Sequence, residues 1–532
     1  MFLDERRSQK VPCDDVWDSY QMTSYQVREK MVADKSRPRF HFVPPQGRWN
    51  DINGAVFHNG RYHLGYLQKI SNGKGALDFS SWQHISSKDL LHWRYQTSYL
   101  DEPLAGFRGD YFNSGGIISG APVPTLIVNM PRKGICIYQC HDDSLDKWEP
   151  LPQNPVIPTT AGWPSSHELT ESRRRIGEAQ DSSLKFAETV IFDPSGWMEN
   201  GIYYVLIGNK NYRLGYEGDS TSLFKSADLI NWEYIGPFYK SSRKWTGEEE
   251  DCADSDFFEF GNKHMLLMHT HRPYPKSQYY IGTLDDEYFE PEINGQLSYL
   301  GAMNAGPETL LDEKGRRIMW GWIRDATTSK NPLWDGAMTL PWHLTPADNH
   351  MGLNINPVIE LESLRYDEIK LSDFTLSSGT EKEIPEFNSD CAEIKLTISP
   401  NSSSAFGLKL LSSLDGQEQT IVSYDMAKQE FVVDFQNSSS DDTIVYNCGP
   451  ELALKGSSLK QRVPYPAPFD QLNLNIFVDK SIIEIFVNSE ICIVQRVYPL
   501  GADSKHFFVF TQDKSIKVTN LRKWEMDSTN PW

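Results

Sequence analysis

The sequence predicts an all-β protein made of two sheet-built domains, and three observations carry that prediction. From about residue 37 to 350 the chain is a succession of short strands, such as GICIYQC, IYYVLIGNKN, HMLLMHT, QYYIGTL and RRIMWGWI. Gly, Asn, Asp and Pro break these strands, and no helical period persists between them. A Leu-x-x-Trp element recurs in SKDLLHW (87–93) and SADLINW (226–232), as expected of successive copies of one sheet unit. Near the end, LNLNIFVDKSIIEIFVNSEICIVQRVYP alternates apolar and polar residues through much of its length. Many short strands at regular spacing fit a sandwich, a barrel or a propeller.

Residues 1–36 are polar and read as an N-terminal extension with a short helix. The first sheet unit opens the 37–350 region. Ala55 and Phe57 alternate with Val56 and His58, Asn59-Gly60 supplies a tight hairpin turn, and Tyr62, Leu64 and Tyr66 return. NINPVIELESLR leaves this region, and 351–368 reads as a linker. From 369 to 532, AEIKLTIS, IVSYDMA, EFVVDF and the alternating run make a half-buried antiparallel sandwich. Leu472, Leu474, Ile476 and Val478 share one face, and Ile483, Ile485 and Val487 continue it after Lys480-Ser481.

Composition narrows the function. The 532 residues carry a net charge of −20 and a pI near 5.1, which disfavours nucleic acid and anionic membrane surfaces as partners and favours a neutral ligand. There is no apolar run long enough to span a bilayer, and the N-terminus has no apolar signal region, so a cytoplasmic location is expected unless a leader has been removed. The seven cysteines form no C-x-x-C pair, so neither zinc nor a disulfide framework is implied. Asn401 and Asn437 open glycosylation triplets that matter only in a secreted protein. His269 and His271 would share a strand face, but no third ligand presents itself, so no metal is expected. The absence of a P-loop, a dinucleotide fingerprint and a G-x-S-x-G elbow leaves no cofactor implied.

The richest segment is RFHFVPPQGRWNDINGAVFHNGRYHLGYLQ (39–68), which sets Asp51 beside Asn50 at a turn, among aromatic residues. A fixed carboxylate can attack an anomeric carbon and aromatic faces stack on sugar rings, while the same residues also suit a hairpin whose Asp caps a turn. RFHFVPPQGRWNDING resembles the signature of glycoside hydrolase family 32, the invertases, inulinases, levanases and fructosyltransferases. Further blocks match in order: YHLGYLQ with Gln68, SSWQHISSKDLLHW with Trp82 and His84, FNSGG with Ser114 and Gly115, IFDPSGW with Asp193, and RRIMWGW with Trp320 and Trp322.

The resemblance implies a five-bladed β-propeller catalytic domain followed by a C-terminal β-sandwich, and a retaining hydrolase acting on sucrose-type or fructan oligosaccharides. It assigns Asp51 as nucleophile and Asp193 as transition-state stabiliser. It also implies Asn50, Gln68, Trp82, Ser114 and Phe192 as substrate-binding positions. The acid/base falls in GEEEDCADSDFF, where the family commonly reads E-C-P-D-F-F, and the two candidates are Glu250 and then Asp251. Phe192 stands where the family carries an arginine, and Ile52 replaces a proline. An apolar ring cannot replace a forked donor, so a longer or differently linked fructoside is expected over sucrose. A fructosyltransferase and a silent carbohydrate-binding propeller are the alternatives, and a homodimer, if one forms, would pair through the sandwich.

Overall fold

The structure is a computed structural model that describes residues 24–71 except 46, then 77–101, 114–130, 133–158, 191–209, 220–246, 250, 252–270, 276–300, 303–326, 334–347, 352–401, 405–449, 452–466 and 469–530. Five antiparallel sheets follow one another along the chain, and each starts from an inner strand: Gly47–His58, Gly115–Ile117, Ile191–Glu199, Ala253–Phe260 and Ala305–Leu311. The inner strands pack side by side in a ring, fifth against first, which is a five-bladed propeller around an axial channel. Trp334–Asp335 closes the ring by pairing in parallel with Gly47–Arg48 of blade 1.

The Asn59-Gly60 turn forms as its residues require: both sit at positive φ, 46° and 71°, between the paired residues His58 and Arg61. The Leu-x-x-Trp element also has a structural cause. In SKDLLHW, Asp89 accepts the Leu91 and His92 amides while Leu90 takes φ 68°. In SADLINW, Asp228 accepts the Ile230 and Asn231 amides while Leu229 takes φ 66°. A third copy, DDSLDKW (142–148), has Leu145 at φ 59°, and its Trp148 indole bonds the Leu145 carbonyl as Trp232 bonds Leu229. These turns lead into the outer strands of blades 1 to 3.

The propeller sheet runs to Leu353–Pro357 and the sandwich sheet begins at Arg365–Lys370. The connection is therefore the short 3₁₀ turn Ile359–Leu364, tighter than the expected linker 351–368, because both flanking segments find pairing partners. The sandwich has two antiparallel sheets of seven and six strands over its own core. Leu472–Asp479 and Ile482–Val487 form a hairpin that turns at Lys480 (φ 57°).

The two domains share one hydrophobic core, running from Trp49, Trp320 and Trp342 to Phe477, Phe486, Val494 and Met526. Buried polar pins cross the same interface. His41 is held between Asp479 (2.8 Å) and Glu484 (3.2 Å), with all three side chains at 0% exposure. Asp479 also accepts the amides of Arg39, Phe40 and His41, so the sandwich grips the segment leading to Asp51. Arg496 pairs with Asp325 at 2.7 Å and lies over the Trp334 ring, which anchors the ring-closing strand. No helix among the described residues is long and apolar enough to cross a membrane.

Candidate active site

Four of the five inner strands carry the same irregularity near their starts. In each, two residues face one residue of the next strand: Asn50-Asp51, Asp193-Pro194, Asp254-Ser255 and Gly306-Pro307. A β-bulge breaks strict alternation and re-aims the side chain it carries. Asp193, Asp254 and Gly306 share left-handed φ values of 43°, 47° and 51°, so three blades repeat one backbone device. The inner strands run the same way around the axis, and the bulges therefore gather at one mouth of the channel.

Asp51 comes to that mouth from blade 1, half-buried, against the backbone of blade 5. A Cβ on Gly306 would lie 3.0 Å from Asp51 Oδ1, so the glycine is required both by its φ and by the carboxylate. Asp193 arrives from blade 3, where it is buried and accepts a hydrogen bond from the Ser114 hydroxyl at the start of blade 2. A left-handed residue before proline is a strained conformation, of the kind folds keep at functional sites.

Glu250 precedes the blade 4 inner strand and is 1% exposed. Its Oε1 accepts from the Tyr280 hydroxyl (2.6 Å) and from the Gln278 amide, and its Oε2 accepts from Tyr239 (3.0 Å) and Thr246 (3.1 Å). Burial first, and then the Glu250 charge, push both tyrosine hydroxyls far above the ordinary phenol range. Burial lowers the Lys276 amine, and the pull of Glu250 opposes that shift. For Glu250 to deliver a proton, one of its four hydrogen bonds must open.

The aromatic residues around Asp51 do not form the expected sugar platform. Trp49 stacks on Tyr66 at 4.6 Å, and both are fully buried. Trp82 is at 0% exposure, and its indole N–H bonds the Asn53 carbonyl at 2.9 Å, so it holds the turn and does not face a ligand. For Trp49 the bulge is the cause: it breaks the alternation that would put Trp49 and Asp51 on one face, so the ring is buried while Asp51 stays half-buried. Gly65 of YHLGYLQ leaves room for that arrangement, since a Cβ there would meet the Asn53 oxygen at 2.2 Å.

His84 is also core, with Nε2 2.9 Å from His63 Nδ1, and burial lowers the two imidazoles to about 3 and 4 respectively. Gln68 lies buried opposite Trp49, and Trp320 and Trp322 are interior. Gly115 admits no side chain, because a Cβ would lie 1.8 Å from the Ile127 oxygen. Asn50 and Phe192 occupy their strands, but their side chains lie outside the described residues, as does Asp251. Of the two histidines weighed as ligands, His269 is buried with Nδ1 3.1 Å from the Ser277 hydroxyl, and His271 lies outside the described residues. Among the described residues no group of three or more His, Cys, Asp or Glu is arranged to hold a metal ion. Among the residues the sequence reading missed, Asp254 fills the blade 4 bulge as Asp193 fills that of blade 3, and Gln278, Tyr239 and Tyr280 cage Glu250.

Carboxylates fixed on the inner strands of a propeller can attack an acetal carbon and protonate its leaving oxygen, which is the chemistry of a glycosidase. Both halves of the chain agree with known sequences. The chain belongs to glycosyl hydrolases family 32: the N-terminal domain model of that family matches residues 41–357 and its C-terminal model matches 360–525. The chain is 25% identical to sucrose-6-phosphate hydrolase of Zymomonas mobilis, over 94% of both chains. It is 26% identical to raffinose invertase of Escherichia coli, over 93% of this chain and 97% of the relative. Fructan 1-exohydrolase IIa from Cichorium intybus superposes with a TM-score of 0.74 at 20% identity, covering 93% of this chain and 98% of that structure. The protein is a glycosidase of the β-fructofuranosidase type.

Proposed function

We propose that this enzyme releases terminal fructosyl units from oligosaccharides with retention of configuration. Asp51 attacks the anomeric carbon and forms a fructosyl ester, and water then hydrolyses that ester. Asp193, held by Ser114, bonds the fructosyl hydroxyls and offsets the positive charge of the oxocarbenium-like transition state. The proton for the leaving sugar comes from Glu250, with Asp251 as the second candidate.

The observation that supports this reading is the repeated bulge, which falls at Asp51 and at Asp193 near the starts of two inner strands of the ring. The names of the relatives support fructosides as the substrate class. Phe192 supports an oligosaccharide over sucrose, since a guanidinium bonded to a sugar hydroxyl contributes roughly 1.5–3 kcal/mol that an apolar ring does not supply.

The test is product analysis by chromatography over sucrose, raffinose, 1-kestose, inulin and levan. Free fructose from at least one of these, with sucrose a high-KM substrate, supports the reading. Fructosylated acceptors as the main product would instead make the enzyme a transferase. No cleavage of any substrate would favour a carbohydrate-binding propeller.

A further inference from the structure

Two residues beyond Gly306, on the same inner strand of blade 5, Glu308 reaches back to blade 1. Its Oε1 accepts the backbone N–H groups of Gly54 and Ala55, each at 3.1 Å. Those amides lie at the second irregular stretch of the blade 1 strand, which follows the Ile52–Tyr66 pair and ends at the Ala55–Leu64 pair, three and four residues past Asp51. Blade 2 closes on the same oxygen, since a Cβ on Gly116 would lie 4.0 Å from it.

On the other side, Asp256 of blade 4 accepts the Thr309 N–H at 3.1 Å, from the peptide that directly follows Glu308, and the Thr309 hydroxyl as well. Arg317 bonds that hydroxyl at 3.2 Å and is the cation next to the pair. Tyr99 is the phenol whose titration feels Glu308, while Asp51 and Asp193 stand on the inner strands of blades 1 and 3. Burial, and then the Asp256 charge, push the Glu308 carboxyl up to about 8.

We propose that Glu308 is a positioning residue for the nucleophile: by binding the Gly54 and Ala55 amides it fixes the depth of the bulged strand that presents Asp51. Blade 5 then sets Asp51 twice, through Gly306 against the carboxylate and through Glu308 against the backbone behind it. The proposal rests on the reading of Asp51 as nucleophile.

The experiment compares Glu308→Gln, Glu308→Ala and Glu308→Met in steady-state kinetics on the best fructoside at pH 6, with thermal unfolding of each variant. Asp51→Asn is run alongside. The amide oxygen of Gln still accepts both N–H groups, so E308Q should keep kcat within about threefold. E308A and E308M lose the acceptor and should lower kcat by about ten- to a hundredfold, with KM within about threefold, because a displaced nucleophile costs rate more than binding. E308M preserves the volume and gives the same split if E308A fails to fold. Wild-type kcat in E308A or E308M, or equal loss in E308Q and E308M at matched stability, would overturn the proposal. Turnover retained in Asp51→Asn would instead overturn the nucleophile assignment on which it rests.

Discussion

Raising the pH should loosen the grip between the two domains through a single histidine. Burial alone would lower the His41 imidazole, but the hydrogen bonds and charges of Asp479 and Glu484 overcome it and raise the group to about 9 from 6.5. The native state thus keeps a proton that the unfolded chain releases above 6.5. Between these two values stability falls by about 1.4 kcal/mol per pH unit, and about 3 kcal/mol is lost in total. That contribution is fully present below 6.5 and gone once the pH passes about 9. With an unfolding entropy of about 2.1 cal/mol/K per residue, the melting temperature should drop by about 3 °C if the whole chain unfolds together. The drop should reach about 10 °C if only the sandwich, about 165 residues, unfolds in that step. The assay is differential scanning calorimetry from pH 6.5 to 9.5 on the wild type and on His41→Gln. Below about pH 9 the variant will be less stable than the wild type, because two buried carboxylates lose their cation. Its melting temperature should nevertheless fall less steeply with pH than that of the wild type. Equal slopes in the two proteins would refute the reasoning, since the net charge of −20 acts on both.

Other consequences concern the site. Gly306→Ala places a methyl group 3.0 Å from Asp51 Oδ1 at a φ of 51°, and should lower kcat by about a hundredfold in a folded protein, read by kinetics beside circular dichroism. Replacing Glu250 by Ala should impair natural substrates far more than an activated aryl fructoside, whose leaving group barely needs a proton; if Asp251→Ala shows that pattern instead, the acid/base is Asp251. Phe192→Arg should lower KM for sucrose by about tenfold or more, and an unchanged KM would show that this position does not set specificity.

Much of this architecture was legible because local chemistry dictates it. Asn59-Gly60 could only be a hairpin turn, and the run from Leu472 to Val487 could only be a pair of strands; the expected half-burial fails beyond Asn475, because Phe477, Ile482 and Phe486 on the outer face pack into the core shared with the propeller. The blade repeat was half legible. DDSLDKW escaped because its aspartate stands three residues before the left-handed Leu145, whereas Asp89 and Asp228 stand directly before their leucines.

The bulges were not legible, since each slips the alternation by one residue within a short strand whose few residues on either side do not reveal the slip. Trp82, a substrate-binding position by resemblance, proved to be core. Asp51 and Asp193 were found through motif resemblance, whereas Glu308 and Asp254 are two acids among 72 whose importance comes only from ring closure and blade equivalence. The cage around Glu250 draws on residues from 239 to 280, a contact set that sequence spacing does not encode.

The central claim is retention through an ester on Asp51, and methanol as a competing acceptor tests it most directly. The best fructoside is incubated with wild type and with Asp51→Asn in aqueous methanol, and the methyl fructoside formed is assigned by NMR before it can equilibrate. The account predicts methyl β-fructofuranoside alone from the wild type, and no product from the variant above a rate lower by several powers of ten. Methyl α-fructofuranoside from the wild type, or undiminished product from Asp51→Asn, would contradict it.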